Sequence, residues 1–457
     1  MIPALGTGPD LLPPVTGSYP PLAEPDGTGS PALPDVECVT YYRRIRSRTT
    51  AAARQLGYGI NRRMPATGVR QWLSRMYDDM FDGRIADYTG SGDLADRHLI
   101  AELAGRYLGT RLRPEHVVLF NGSTEAISVL LGFAAAQGMP VAVPLPLYCS
   151  FEQSAARHRV RVCAYYTADG RMLRVSDEQG PGPLFVDVAP NGVTGAWART
   201  EPVRQALMPS FDLVDHVFAL PTFQPAEKFL GRLRARVTSL DRTAVLMSPS
   251  KDLSVPGLRC GVMLTRNPEL LAYSRADRFE RGYSVAVGLG RVAAVHLALL
   301  LAVFDPTGAG RATVLADDFR AAGLPWCGES TLAGFRTVME SRRGEFLQAL
   351  SMADHSGLLM PVDRLPDPVA GFSAFRRIPD LPTGEALTAW ATEAGRVGLK
   401  VNPMYLFGAD EQVWNRLYPG TQAIRLNISV PPDALRNDLD ALRAVMTVPA
   451  LMKGDAN

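Results

Sequence analysis

The stretch SPSKDLSVPGLRCG, Ser248–Gly261, sets Lys251 behind Ser248, Pro249 and Ser250 and places Arg259 eight residues further on. Lysine is scarce here: Lys228, Lys251, Lys400 and Lys453 are the only four, and arginine supplies the rest of the 48 basic residues. A lysine that is to hold a carbonyl compound as an imine must first give up its proton. A positive, partly desolvated setting makes that easier. Two serine hydroxyls and a guanidinium beside it would suit a phosphate. The plain alternative is a solvated surface lysine, the usual fate of the residue.

Outward from this stretch, short apolar runs alternate with helical text. VVLF (117–120) leads into NGSTEAISVLLGFAAA, VAVPLPLY (141–148) leads into FEQSAARHR, and LFVDV, FDLVDHVFA and AVLMS follow at intervals. That alternation predicts an α/β fold, a mostly parallel sheet covered by helices. After about residue 305 the text loosens into an α+β mixture that ends in IRLNISV and DALRNDLDALRAVM. Ahead of the sheet, YYRRIRSRTTAAARQLGY (41–58) and VRQWLSRMYDDMF (69–81) read as helical. Residues 1–36 are rich in Pro and Gly and too poor in large apolar side chains to offset their conformational entropy, so they are expected to be disordered. The resulting plan is a helical segment over 37–86, a large domain over 87–318 and a small domain over 319–457, to which the helical segment contributes.

Composition narrows the classes of function. An apolar content of 46% supports a large core, and a net charge of +2 with both signs interspersed points to no polyanionic partner such as nucleic acid. Cys38, Cys149, Cys163, Cys260 and Cys327 form no CxxC pair, and the six histidines are scattered, so neither a disulfide framework nor a metal site is expected. The longest apolar run, VAAVHLALLLAVF (292–304), is too short to span a bilayer and contains His296; a buried helix is expected instead. No basic residue precedes Arg43 and no hydrophobic core follows Met1, so a secretory leader is not expected, and the cysteine pattern suits a reducing cytoplasm.

Three further places carry chemistry. NGSTEAI, with Gly122, Ser123 and Thr124, follows a strand and opens a helix. Its N–H groups and dipole would receive a phosphate, although a helix start also takes hydroxyl residues simply as caps. Asp215 stands near the carboxyl end of an apolar strand, where ligands of open α/β sheets bind, and a carboxylate there needs a positive partner unless it is solvated. Tyr148 also follows a strand, placed to stack on a flat cofactor or to pack in the core.

Taken together, GST, VPLPLY, APNGVTG, LVDHVF, SPSKDLSVPGLRCG and IRLNISV follow one another at the spacing of a known family. From about Tyr88 to the C-terminus the chain resembles the class I/II aminotransferases, pyridoxal 5'-phosphate (PLP) enzymes of fold-type I with an aspartate aminotransferase-like architecture. The resemblance implies PLP held on Lys251, which then serves as general base and acid, and Asp215 paired with the pyridinium nitrogen. It implies Tyr148 stacked on the ring, and Gly122, Ser123, Thr124, Ser248, Ser250 and Arg259 around the phosphate, with Tyr88 reaching it from a second subunit of a homodimer. Arg425, in IRLNISV, would grip the α-carboxylate of an amino acid substrate bidentately, the bland reading being a surface arginine on an edge strand. The implied activity is transamination of an α-amino acid, in specialised metabolism on the strength of the arginine-biased composition and the N-terminal stretch. A PLP-sensing transcription regulator would need an N-terminal winged-helix domain, which the Pro/Gly-rich stretch does not resemble.

Two departures concern one cofactor atom. The family's NNPTG is replaced by Asn191-Gly192-Val193-Thr194-Gly195, and its D-E-x-Y by Asp215-His216-Val217-Phe218. The usual donors to the phenolic oxygen of PLP thus become Gly192 and Phe218, with Asn191 and His216 as the remaining candidates. Losing those donors should keep the lysine-bound cofactor protonated, and yellow, into alkaline pH. It also keeps open a lyase, a decarboxylase or an oxygen-dependent oxidase on the same scaffold.

Overall fold

A computed structural model describes residues 54–57, 59–81, 91–174, 180–280, 285–379, 385–396, 398–408, 411–419 and 422–446. The expected disordered stretch 1–36, Tyr88 and the segment 281–284 lie outside them.

The strands run β1 (Arg54–Gln55), β2 (Val117–Phe120), β3 (Val141–Leu145), β4 (Val162–Tyr166), β5 (Met172–Arg174), β6 (Leu184–Val188) and β7 (Phe211–His216). They continue with β8 (Thr243–Met247), β9 (Gly261–Leu264), β10 (Met360–Pro361), β11 (Ser373–Ile378), β12 (Leu399–Lys400), β13 (Asn402–Pro403) and β14 (Gln422–Asn427). Eight of them form one sheet in the order β2-β9-β8-β7-β6-β3-β4-β5. The inner pairs β8·β7, β7·β6, β6·β3 and β3·β4 are parallel, while β9 runs antiparallel to both of its neighbours and β5 is an antiparallel edge. Strands β3, β6, β7 and β8 are buried throughout, as continuous Val/Leu/Ala/Phe runs require when helices cover both faces. The α/β plan with an aspartate aminotransferase-like fold is what the structure has.

The covering helix Leu289–Phe304 is buried on nearly every side, Arg291 and His296 included, which is how its uninterrupted apolar text is used. No helix among the described residues is long and apolar enough to cross a membrane. A second, four-stranded antiparallel sheet, β10-β11-β14-β13, packs with the helices Glu329–Asp354 and Pro432–Met446.

One expectation fails at the N-terminal side. Residues 41–58 read as helix, yet Arg54–Gln55 is a strand that pairs in parallel with Leu399–Lys400, and Leu56 is buried beside it. Helical spacing in the text is overridden by backbone pairing and by the glycines that follow, Gly57 and Gly59, which no helix interior favours. The second helical stretch does form, as Thr67–Asp78, burying Val69, Trp72, Leu73 and Met76.

Candidate active site

The carboxyl ends of β6, β7 and β8 and the turn after β2 deliver the expected residues to one edge of the sheet. After β2 the chain turns at Gly122, whose φ of +97° favours glycine, and enters the helix Ser123–Ala136. A Cβ on Gly122 would lie 2.5 Å from Nη2 of Arg259, and one on Gly261 would lie 2.7 Å from the Gly122 carbonyl carbon. Glycine at both places therefore lets strand, turn and guanidinium close on one another. Arg259 Nη2 donates to the Asn121 carbonyl at 3.4 Å. No side chain caps this helix, so the capping reading of Ser123 and Thr124 gives way to a first turn whose N–H groups, with Arg259 alongside, suit an anion.

Ser248 ends up with a narrower task than the resemblance implies. It is the N-cap of the short helix Pro249–Asp252, its hydroxyl donates to the Cys260 carbonyl at 2.7 Å, and it lies 2.9 Å from Ser250 Oγ. That hydroxyl is committed to fixing the turn that aims Lys251, while Ser250 lies next to it, also buried.

Lys251 is no surface lysine. Nζ donates to the carbonyl of Gly59 at 2.5 Å. Burial, and then the charges of Arg425 and Arg259, pull its pKa down from 10.5 to about 8. The two arginines, one eight residues beyond Lys251 and the other on β14, thus converge on this ammonium. On the neighbouring strand Asp215 is 5% exposed, and burial alone raises its pKa from 3.8 to about 7. Its Oδ1 is buried without a hydrogen-bond partner. A buried carboxylate oxygen of this kind calls for a positive partner, and a pyridinium N–H is one. The lysine with a loosened proton, the orphaned carboxylate oxygen and the glycine-built anion cradle fit PLP, which carries an aldehyde, a ring nitrogen and a phosphate.

Arg425 lies on β14, inside the small sheet between β11 and β13 and not on its edge, and is buried. Its Nε donates to the Gly57 carbonyl at 2.9 Å, and its guanidinium carbon lies 4.9 Å from the Phe407 ring centroid. A Cβ on Gly59 would fall 2.7 Å from Arg425 Nη2. The segment around Gly57 and Gly59 therefore passes directly over both Lys251 and Arg425. Tyr148, after β3, is 52% exposed, so core packing is not its role; the neighbouring Leu147 N–H donates to the Phe407 carbonyl at 2.8 Å.

Residues that replace the usual donors take unexpected places. The Asn191 amide ties its own loop to the turn after β3: Nδ2 donates to the Pro146 carbonyl at 2.8 Å, and Oδ1 accepts from the N–H groups of Val193 and Thr194. His216, one residue along the strand from Asp215, faces the opposite side. Its Nδ1 donates to the Ala189 carbonyl at 2.6 Å, and burial lowers its pKa, so the neutral ring accepts from Tyr107 OH at Nε2, 2.9 Å away. Phe218 meets Gly192 directly, since a Cβ on Gly192 would lie 2.2 Å from the ring.

Sequence reasoning missed the Gly57–Gly59 strap, Phe407, and a buried brace behind the lysine. In that brace Asp252 accepts from the N–H groups of Ala219 and Leu220 and from His296 Nε2 at 2.8 Å. Two glycines breaking a helical pattern were the signal for the strap; nothing local marks the other two.

Comparison with known proteins follows the same lines. The family model described as aminotransferase class I and II matches residues 56–299, just over half of the 457 residues. The human 1-aminocyclopropane-1-carboxylate synthase-like protein 1 is 23% identical over 269 residues, 51% of this chain and 52% of that protein. The histidinol-phosphate aminotransferase of Geotalea uraniireducens is 28% identical over 178 residues, 38% of this chain and 49% of that protein. The chain thus spans about half the length of the curated relatives it matches. Among solved structures, an aromatic aminotransferase from Pyrococcus horikoshii superposes with a TM-score of 0.64 at 14% identity over 90% of this chain and all of that one. The N-succinyldiaminopimelate aminotransferase of Mycobacterium tuberculosis gives 0.62 at 17% identity over 91% of this chain and all of that one. At such identities the superpositions show the fold alone.

Proposed function

The chain belongs to the aminotransferase class I and II family, whose cofactor is PLP, and from that premise we propose that it is an aminotransferase acting on an α-amino acid. The observation that carries this reading is the convergence on Lys251. A buried amine with its pKa pulled down to about 8 lies under the influence of Arg259 at the phosphate cradle and Arg425 at the substrate end, beside the strand of the unpartnered Asp215 carboxylate.

In this reading the cofactor, when bound, supplies an electron sink for negative charge at the substrate α-carbon. The protein does the rest. Lys251 holds the cofactor aldehyde through Nζ and afterwards takes and returns the α-proton from that same nitrogen, for which a pKa near the working pH is favourable. Asp215, reluctant to ionise in its dry setting, would be held in its charged form by pairing with a pyridinium N–H. Arg425, stacked on Phe407, binds the α-carboxylate and orients the Cα–H bond toward Lys251. The strap at Gly57 and Gly59 excludes water from above. Tyr148 stacks on the cofactor ring. Tyr88 of a second subunit of a homodimer completes the phosphate site. The enzyme works in the cytoplasm, in a specialised biosynthetic route.

A second reading, a lyase, decarboxylase or oxygen-dependent oxidase, has one observation in its favour: Gly192 and Phe218, at the positions that the resemblance gives to the usual donors, lie against each other with no donor side chain. Product analysis separates the readings. Purified protein loaded with PLP is given a panel of amino acids with keto acid and oxygen varied independently. Keto-acid-dependent amino transfer supports the first reading. Release of ammonia or carbon dioxide, or consumption of oxygen, without a keto acid replaces it by the second.

A further inference from the structure

Gly192 and Phe218 look like two separate losses in the sequence, 26 residues apart, but in the structure they are one feature. A Cβ at residue 192 would lie 2.2, 2.5 and 2.8 Å from three carbons of the Phe218 ring, distances at which something must move. The ring cannot retreat freely. It packs on Phe372, with centroids 5.6 Å apart. A side chain at 192, the usual asparagine included, would therefore have to displace the Phe218 ring, and glycine at 192 is what lets the ring lie there.

Strand order places this pair. From the phosphate cradle at β2 and β9 the sheet runs through β8, with Lys251 beyond its end, to β7 with Asp215, and then to β6, after which Gly192 comes. The pair lies on the side of Asp215 away from the cradle. In PLP the phenolic oxygen and the phosphate-bearing arm flank the ring carbon that carries the aldehyde, one on each side. With the phosphate at the cradle and the ring nitrogen at Asp215, that oxygen faces β6.

We infer that Phe218 and Gly192 together form a single apolar wall that closes the cofactor pocket at the phenolic oxygen in place of two hydrogen-bond donors. This inference rests on the cofactor reading above. Its consequence is that nothing at either position stabilises a phenolate, so the lysine-bound cofactor keeps its shared proton to higher pH than donors would allow. The charges that act on the Lys251 amine are those of Arg425 from β14 and Arg259 before β9, while Asp215 stands on β7 and Tyr148 follows β3; the variants below alter none of them.

The test is the absorbance-against-pH titration of the PLP-loaded protein in three forms: wild type, Phe218→Tyr, and the double variant Gly192→Asn with Phe218→Ala. The wild type is expected to stay yellow well above neutrality. Each variant, by returning a donor, should lower the midpoint of the transition by about 1 to 2 in pH, the effect of one hydrogen bond to a charged group. Phe218→Tyr keeps the ring, so it remains informative if the double variant folds poorly. A wild-type transition at or below neutrality, or transitions that move in neither variant, would overturn the wall. A protein that takes up no PLP would overturn both the wall and the function proposed above, whereas bound cofactor with an unmoved transition overturns the wall alone.

Discussion

On the side of Asp215 toward β8, β9 and β2, the site is lined with hydrogen-bond donors and positive charge: the uncapped first turn of Ser123–Ala136, Arg259, the Ser248–Ser250 turn and Lys251. On the side toward β6 it is lined by a phenylalanine ring lying on a glycine, with Phe372 behind. The donor-rich side is what any fold-type I enzyme needs in order to hold PLP. The apolar side is where this chain departs from the family, and so it is where control over the outcome of the reaction is to be sought. Holding the cofactor and steering it are thus assigned to different strands of one sheet.

Removing groups from the donor-rich side should have the largest effects. Lys251→Ala should abolish the cofactor's lysine-linked absorbance and lower turnover by more than about a thousandfold, since it removes both the proposed covalent anchor and the proposed proton carrier. Retained turnover in single-turnover assays would break the division of labour at its strongest point. Asp215→Asn should lower kcat by roughly 10² to 10³, the loss of one preorganised electrostatic partner, with cofactor affinity measured alongside. Without cofactor, Asp215 also makes stability depend on pH. Its carboxyl has a pKa of 3.8 when unfolded and about 7 when folded, so the folded state binds the proton more tightly, and stability present below pH 4 is lost as the pH rises through 7. Thermal melts of the apoprotein should show that decline, at most about 1.4 kcal/mol for each step of one in pH between those two values, and Asp215→Asn should flatten it.

Smaller effects sharpen the comparison at its edges. Arg425→Lys keeps the charge but loses the planar fork and its stacking on Phe407, and KM for the amino acid should rise roughly tenfold to a hundredfold with a smaller change in kcat. On the apolar side, Gly192→Asn alone should lower stability by about 1 to 3 kcal/mol through overpacking against Phe218. Adding Phe218→Ala should recover part of it, a coupling that a double-mutant cycle reads directly. Additive losses would mean that the two residues do not share one space.

How much of this could be read from the sequence follows the same divide. The donor-rich side is written in contiguous text, NGST and SPSKDLSVPGLR, because turns and helix starts are built by neighbours in the chain, and the strand carrying Asp215 is marked by its apolar run. Arg425 could be placed by its strand, but not its burial in the middle of the small sheet or its contact with Phe407, which depend on which strands pair. The strap at Gly57 and Gly59 was obscured by helical spacing in the residues before it, though its glycines were visible. The interlocking of Gly192 with Phe218 and the bracing of Asp252 by His296 are contacts between distant segments, for which neither periodicity nor a motif gives a sign. Asn191 shows the same: its Oδ1 is used within its own turn, which the text allows, but the bond of its Nδ2 to Pro146 joins segments 45 residues apart.

Both sides of the site have meaning only if Lys251 is the residue that carries the cofactor. The direct measurement is borohydride reduction of the PLP-loaded protein, which fixes an imine as a stable amine, followed by mass mapping of the labelled peptide. A pyridoxyl-phosphate adduct on Lys251, absent from Lys228, Lys400 and Lys453, is the predicted result. An adduct on another lysine, or none from a protein that has been saturated with PLP, would contradict it.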